Sequence, residues 1–311
     1  MLSRIALLVL GLTMALPAGE PWRGTLPNGS AIWADVTVAL DDGTNAAVRV
    51  HHPAAGDGPW PVVVFSHGLG GSREGYGFLG KRWAEHGYVS IHPDHPGSDT
   101  AVFRGKAPAE LTQAMRQATT ALRILEGRPR LIAALISALP TLERVVPALA
   151  GKLDHKRVGV AGHSYGGWTT MGVAGQKLRL SGEPKDWSDS RPLAFAALSP
   201  SGPSVLSKPE DWAGVTRPLL VMTGTDDRQP AALTPPGQER SGAWRRQVFD
   251  LVPAGGTRLL AWFEGARHCT FSGGSGARLT SEPEPDPTQV EAVAIVTLAW
   301  CDARLRTDAA A

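Results

Sequence analysis

Ser164 lies in Gly162-His163-Ser164-Tyr165-Gly166, directly after the apolar run Val158-Gly159-Val160-Ala161. A serine between two glycines, where a strand feeds a helix, suits nucleophilic catalysis. The tight turn has no room for a bulky Cβ on either side, and it lifts the hydroxyl above the sheet. No other Gly-x-Ser-x-Gly occurs in the chain. A serine nucleophile needs a base, and in one known order the acid and then the base follow it along the chain. His268 is the one histidine after Ser164, and it follows the strand-like run Leu259-Leu260-Ala261-Trp262-Phe263. The acid should end an earlier strand: Pro218-Leu219-Leu220-Val221-Met222 runs into Thr223-Gly224-Thr225-Asp226-Asp227, and either carboxylate could serve.

Acyl transfer also needs donors for the oxygen that becomes negative, usually the backbone N–H after the nucleophile and one from a loop after an early strand. Pro61-Val62-Val63-Val64-Phe65 followed by Ser66-His67-Gly68-Leu69-Gly70-Gly71 supplies that loop. The expected donors are the backbone N–H groups of Leu69 and Tyr165. The loop lacks both Gly-x-Gly-x-x-Gly and the Lys-Ser/Thr of a P-loop, so no nucleotide or other cofactor is expected. His92-Pro93-Asp94-His95 contains metal-ligand residue types, yet no matching cluster stands elsewhere in the sequence, so no metal is expected either.

With these residues identified, the chain resembles a serine hydrolase of the α/β-hydrolase fold. More narrowly, it is similar to the bacterial dienelactone-hydrolase-like proteins and to the platelet-activating-factor acetylhydrolases. The resemblance rests on Phe65-Ser66-His67-Gly68-Leu69-Gly70-Gly71, on Glu85-His86-Gly87-Tyr88-Val89 running into Asp94-His95-Pro96-Gly97-Ser98-Asp99, on Arg157 to Gly167, and on the later aspartate and histidine. These blocks lie in order over nearly all of the chain beyond its N-terminal segment. True dienelactone hydrolases use a cysteine where Ser164 stands, so the family name does not carry the reaction. The resemblance implies a mostly parallel sheet with helices on both faces. It also favours Asp227 over Asp226, because such hydrolases commonly show Gly-x-x-Asp after that strand and Gly224 sets the count. The implied activity is hydrolysis of a small-molecule or lipid carboxylic ester through Ser164, His268 and Asp227. An acyltransferase using the same residues, or a non-catalytic binding protein of this fold, is the alternative.

The elements that must position these groups are legible in outline. Alternating apolar residues near 31–38 and 46–50, with Asp41-Asp42-Gly43 between them, suggest an antiparallel pair. Core strands are expected near 61–66, 88–92, 157–161, 193–198, 218–223 and 258–263. Helices near 109–126 and 130–150, broken around Gly127-Arg128-Pro129, would form a crossover and a partial cap within residues 98–156. Ser281 to Pro287 reads as a surface loop, and Thr288 to Arg306 as a closing helix with Pro287 at its first turn. His163 should point into the fold, whereas His51 and His52 should lie on the surface.

The 311 residues, with 31 basic and 29 acidic side chains, suit one α/β unit, residues 19–311, that buries a sizeable core. No concentrated Lys/Arg stripe calls for nucleic acid. Arg4, the apolar Ile5 to Leu16 and Pro17-Ala18-Gly19 read as an export signal cleaved after Ala18, too short for a stable membrane anchor. A periplasmic or extracellular location follows as an expectation. In such an oxidising compartment the only two cysteines, Cys269 and Cys301, are expected to form a disulfide, the closing helix of this fold packing near the late strands.

Overall fold

Strand alternation builds the molecule. In the computed structural model, which describes residues 29–306 apart from 182, 205–206, 231–232, 239 and 276–281, β3 (Trp60–Ser66) sends Val62 and Val64 into one apolar layer and Val63 and Phe65 into another. β8 (Ala194–Leu198) and β9 (Leu219–Asp226) repeat the pattern with Phe195, Ala197, Leu219 and Val221 on the first face and Ala196, Leu198, Leu220 and Met222 on the second. Both faces of these strands are therefore covered, as parallel sheets require. The sheet has eight strands in the order β1-β2-β4-β3-β5-β8-β9-β10, where β1 is Ala31–Ala39, β2 Asn45–Pro53, β4 Val89–Pro93, β5 Leu153–His163 and β10 Arg258–Arg267. β2 runs antiparallel to β1 and β4, and the other pairs are parallel. Leu178–Ser181 and Glu183–Lys185, β6 and β7, form a separate small ribbon.

Helices cover the two faces. α1 (Gly77–Glu85) and the closing helix α8 (Pro287–Cys301) bury Leu79, Trp83, Val293 and Leu298 on one side. α4 (Leu122–Ser137), α5 (Leu139–Val145), α6 (Tyr165–Ala174) and α7 (Gly242–Leu251) supply Ile132, Leu139, Met171 and Val248 to the other. This is the α/β-hydrolase arrangement. Pro287 does open α8, where its missing N–H costs nothing, and Asp286 caps the helix by accepting from Thr288 N–H at 2.8 Å. The helix passes into a π-helical turn at Asp302–Arg306.

Three expectations need correction. The helical break does not fall at Gly127-Arg128-Pro129, because α4 runs through them and Arg128 and Pro129 are buried. The break is at Ala121 (φ −69°, ψ 117°), between α3 (Pro108–Thr120) and α4. Thr119 and Thr120 turn their hydroxyls back onto the Met115 and Arg116 carbonyls there, a bonding pattern that weakens the end of a helix. His51 and His52 are buried instead of exposed, since β2 is an inner strand; the His51 ring fills space left by the missing Cβ of Gly80 and meets His92 edge-on at 5.0 Å.

The third correction concerns the cysteines. Cys269 and Cys301 are both free and buried, with no disulfide between them. Cys301 is the last residue of α8, whereas the Cys269 thiol donates to Pro283 O at 3.4 Å, ahead of that helix's first turn. The helix rise alone sets these ends about 20 Å apart, far beyond what a disulfide spans. Thiol titration of the denatured, unreduced protein should therefore count two reactive sulfhydryls per chain; none would restore the bridge. The expected export signal, residues 1–18, lies outside the described residues. Among the described residues no helix is long and apolar enough to cross a membrane.

Burial sets a pH dependence as well. His51 and His67 are held neutral by desolvation, with pKa values lowered from 6.5 to about 4 and about 3. Burial likewise lowers those of His52, His92, His95 and His163. Below pH 6.5 the unfolded chain takes up protons that the folded chain refuses, so this contribution to stability is complete above 6.5 and drains away as pH falls toward 4 and then 3. Thermal unfolding should give a Tm that is nearly level just above pH 6.5 and falls steeply from pH 6 to 4.

Candidate active site

Ser164 stands between β5 and α6 with φ 56° and ψ −113°, a conformation few residues other than glycine adopt. Its neighbours make it possible. A Cβ on Gly166 would lie 1.8 Å from Ser66 O, and one on Gly162 2.4 Å from Gly166 O, so the first turn of α6 can sit against the end of β3 only with glycine at both positions. Ser164 N–H donates to Leu198 O at 2.9 Å, which ties the turn to β8 as well.

His268 opens a short 3₁₀ turn just after β10. Its Nε2 is 2.9 Å from Ser164 Oγ, and its Nδ1 is 2.8 Å from Asp227 Oδ1. Asp227 follows β9 and is fully buried, whereas Asp226 is exposed and pairs in the ladder with Arg267. The Asp227 carboxylate is saturated. Ser199 Oγ donates to Oδ1 at 2.8 Å, Thr223 Oγ1 to Oδ2 at 2.8 Å, and the buried guanidinium of Arg245 lies 2.9 Å from Oδ1. Burial by itself would raise this carboxyl; the Arg245 charge, followed by the His268 and Ser199 hydrogen bonds, overcomes that and holds it at about 2. It is therefore a fixed anion facing Nδ1.

Leu69 and Tyr165 both border the same cavity as Ser164. Tyr165 is the first residue of α6, where an N–H has no intrahelical acceptor, and the glycine-rich loop passes close to it. Tyr76 locks that loop: its hydroxyl accepts from Gly68 N–H at 3.1 Å and donates to His163 Nδ1 at 2.9 Å. His163 Nε2–H then donates to the His268 carbonyl at 3.2 Å. His163 thus points into the fold. Burial first, and then the neighbouring His268, keep its pKa well below the ordinary value, so it remains a neutral connector.

The cavity measures about 430 Å³, within the range that encloses small ligands. Leu69, Met115, Leu125, Trp168, Leu233 and Trp244 give it an apolar wall, with Gln229 and Arg240 as polar points. Met115 and Leu233 belong to a satellite apolar cluster around α3, and Met115, Thr119, Thr120 and Leu125 all line the cavity. Trp212 is buried away from it.

Ser199, Arg128, Arg245 and Tyr76 escaped the sequence reading. Ser199 (φ 49°) follows β8 beside Ser164, a place where open α/β sheets assemble ligand sites, and Ser199-Pro200-Ser201-Gly202 carried that signal faintly. Arg128 was hidden by its Gly and Pro neighbours, and a lone arginine on a helix such as Arg245 has no local mark. Among the described residues no group of three or more His, Cys, Asp or Glu is arranged to hold a metal ion.

Residues 30–126 match the family model described as platelet-activating factor acetylhydrolase, isoform II. The platelet-activating factor acetylhydrolase of Bos taurus is 25% identical over 153 residues, covering 39% of this chain and 33% of the bovine protein. That of Cavia porcellus is 27% identical over 150 residues, with the same coverage of 39% and 33%. The chain thus aligns with about a third of the length of these curated relatives. Among solved structures, a dienelactone hydrolase-like promiscuous phosphotriesterase, P91, from metagenomic libraries superposes with a TM-score of 0.59 at 16% identity, covering 89% of this chain and 99% of that one. A dienelactone hydrolase from Anabaena variabilis does so with a TM-score of 0.53 at 18% identity, covering 89% and 100%. The chain therefore has the α/β-hydrolase fold; over part of its length its sequence resembles the platelet-activating factor acetylhydrolases, and its fold resembles that of dienelactone hydrolases.

Proposed function

We propose that the protein is an exported serine hydrolase that cleaves carboxylic esters. The reading is carried by the continuous line Ser164 Oγ, His268 Nε2, His268 Nδ1, Asp227 Oδ1, with contacts of 2.9 and 2.8 Å, under an apolar cavity. In this reaction Ser164 Oγ adds to the ester carbonyl carbon while His268 takes its proton. The carbonyl oxygen becomes an anion facing the Leu69 and Tyr165 N–H groups. Collapse expels the alcohol, which receives the proton from His268, and water repeats the sequence to free the acid. Asp227 keeps Nδ1 protonated and stabilises the imidazolium, a role suited to a carboxylate that stays ionised at every working pH.

The apolar wall supports a small-molecule or lipid ester, in keeping with relatives named as acetylhydrolases. The N-terminal Arg4 and Ile5 to Leu16 pattern supports export of one domain, residues 19–311.

A fluorophosphonate probe should label wild-type protein at Ser164, and p-nitrophenyl esters of graded chain length should be hydrolysed. Ser164→Ala should lose labelling and on the order of 10⁴-fold or more in kcat while its Tm holds. Retention of most activity would remove Ser164 from the role. Asp227→Asn should cost on the order of 10³- to 10⁴-fold in kcat, since it strips the anion from Nδ1. Asp226→Asn, on an exposed side chain, should stay within about threefold of wild type; the opposite ranking would give the role to Asp226.

A further inference from the structure

Arg128 is a cation sealed inside the protein, 1% exposed, and its partners are hydroxyls and a carbonyl instead of carboxylates. Nε donates to Thr169 Oγ1 at 2.9 Å, and one terminal nitrogen donates to Ser98 Oγ at 2.7 Å. The other donates to Ser66 Oγ at 3.0 Å and to the His67 carbonyl. The guanidinium also lies 4.3 Å from the centre of the Tyr165 ring. Taking a guanidinium out of water for neutral partners is costly, and a well-packed apolar side chain would serve stability as well or better. What the arginine adds is a planar fork that holds several groups at fixed separations.

Each of those groups leads to one of the two N–H donors assigned above. Ser66 and His67 open the loop that carries Leu69. Ser98, whose carbonyl accepts from Gly70 N–H at 2.9 Å, braces the far side of that loop. Thr169 and the Tyr165 ring belong to α6, and the Tyr165 hydroxyl is anchored in turn on Ala118 O at the end of α3. The strands that lead into loop and helix stay paired only as far as Ser66 and Gly162; beyond that pair, among the described residues, no strand pairing holds the Leu69 and Tyr165 N–H groups to one point.

Resting on the reading of Ser164 and its donors given above, we propose that Arg128 is a positioning residue for the oxyanion site: its fork sets the spacing between the Leu69 and Tyr165 N–H groups. The arginine touches no reacting atom. Its effect is confined to states in which the substrate oxygen is an anion, because a neutral carbonyl in the bound ester depends far less on two aligned donors.

The test compares wild type with Arg128→Lys, which keeps the charge and loses the fork, and with Thr169→Val and Ser98→Ala, which each remove one of the arginine's bonds together with the hydroxyl's own bond to the Tyr165 or His95 carbonyl. Rates are taken per active site titrated with a fluorophosphonate. A trifluoromethyl ketone reads the anion directly: Ser164 Oγ adds to the carbonyl carbon, the serine proton passes to His268, and the former carbonyl oxygen becomes the hemiketal oxyanion. Arg128→Lys should lower kcat on the order of 10²-fold with KM within about threefold, as expected for donors displaced by a fraction of an ångström to an ångström. The inhibition constant for the ketone should rise in proportion to the loss in kcat/KM. Thr169→Val and Ser98→Ala should follow the same line with smaller losses, about five- to tenfold. A kcat per titrated site within about threefold of wild type in Arg128→Lys would overturn the proposal. So would a loss of kcat with unchanged ketone affinity, or a fall in Tm alone. If Arg128→Lys does not fold, the two hydroxyl-removing variants decide by the same criteria. Wild-type protein that no fluorophosphonate labels at Ser164 would overturn the reading of the site and Arg128 with it, whereas labelled wild type with unaltered variants removes Arg128 alone.

Discussion

The close approach of α6 to β3 is the constraint on which the rest of the site depends. With only 1.8 Å between Ser66 O and the place a Gly166 Cβ would occupy, the helix can begin directly beside the strand end. That approach fixes Ser164 in a conformation that its own side chain disfavours. It also brings the N–H groups at the start of α6 beside the glycine-rich loop that leaves β3. A wider turn would separate Ser164 from that loop, and no rearrangement of side chains would recover the geometry.

Around that turn the protein buries an unusual amount of polar chemistry, and it manages each group differently. The histidines are kept neutral by desolvation and used as hydrogen-bond connectors, as in the line from Gly68 through Tyr76 and His163 to the His268 carbonyl. Asp227 is kept charged by an opposite charge and several donors, overriding its burial. Arg128 is kept charged without an anion beside it, its guanidinium pulled down to about 10 by burial yet still protonated at neutral pH. Groups buried in this way are rigid, because each loses much if one partner leaves. Rigidity of that kind is what preorganised donors require.

Residues of α3 and α4 join the cavity to the same framework. Met115 and Leu125, from α3 and α4, line the cavity, and Leu69 packs its side chain against the apolar clusters around both. Cavity shape and the position of the glycine-rich loop therefore share a wall.

Much of this was written locally. Strand runs, the two-residue alternation between faces, the Asp41-Asp42-Gly43 turn, Pro287 at a helix start and Gly162 to Gly166 are short-range signals, because the steric and burial rules behind them act within a few residues. They put Ser164 between a strand and a helix and His268 just after a late strand, which is where the fold has them, and left Asp226 and Asp227 as neighbouring carboxylates at one strand end. Tertiary structure decided what depends on residues far apart in the chain. Asp227 is distinguished from Asp226 by which one the end of β9 turns inward beneath His268. Arg128 and Arg245 are buried because hydroxyls, carbonyls or a carboxylate from other elements surround them, and the Gly-Arg-Pro signal for a break was overridden by that burial. Cys269 and Cys301 share a residue type and a neighbourhood in the order of elements, yet the length of α8 separates them. Local sequence sets which conformations are cheap; only packing sets which side chains meet.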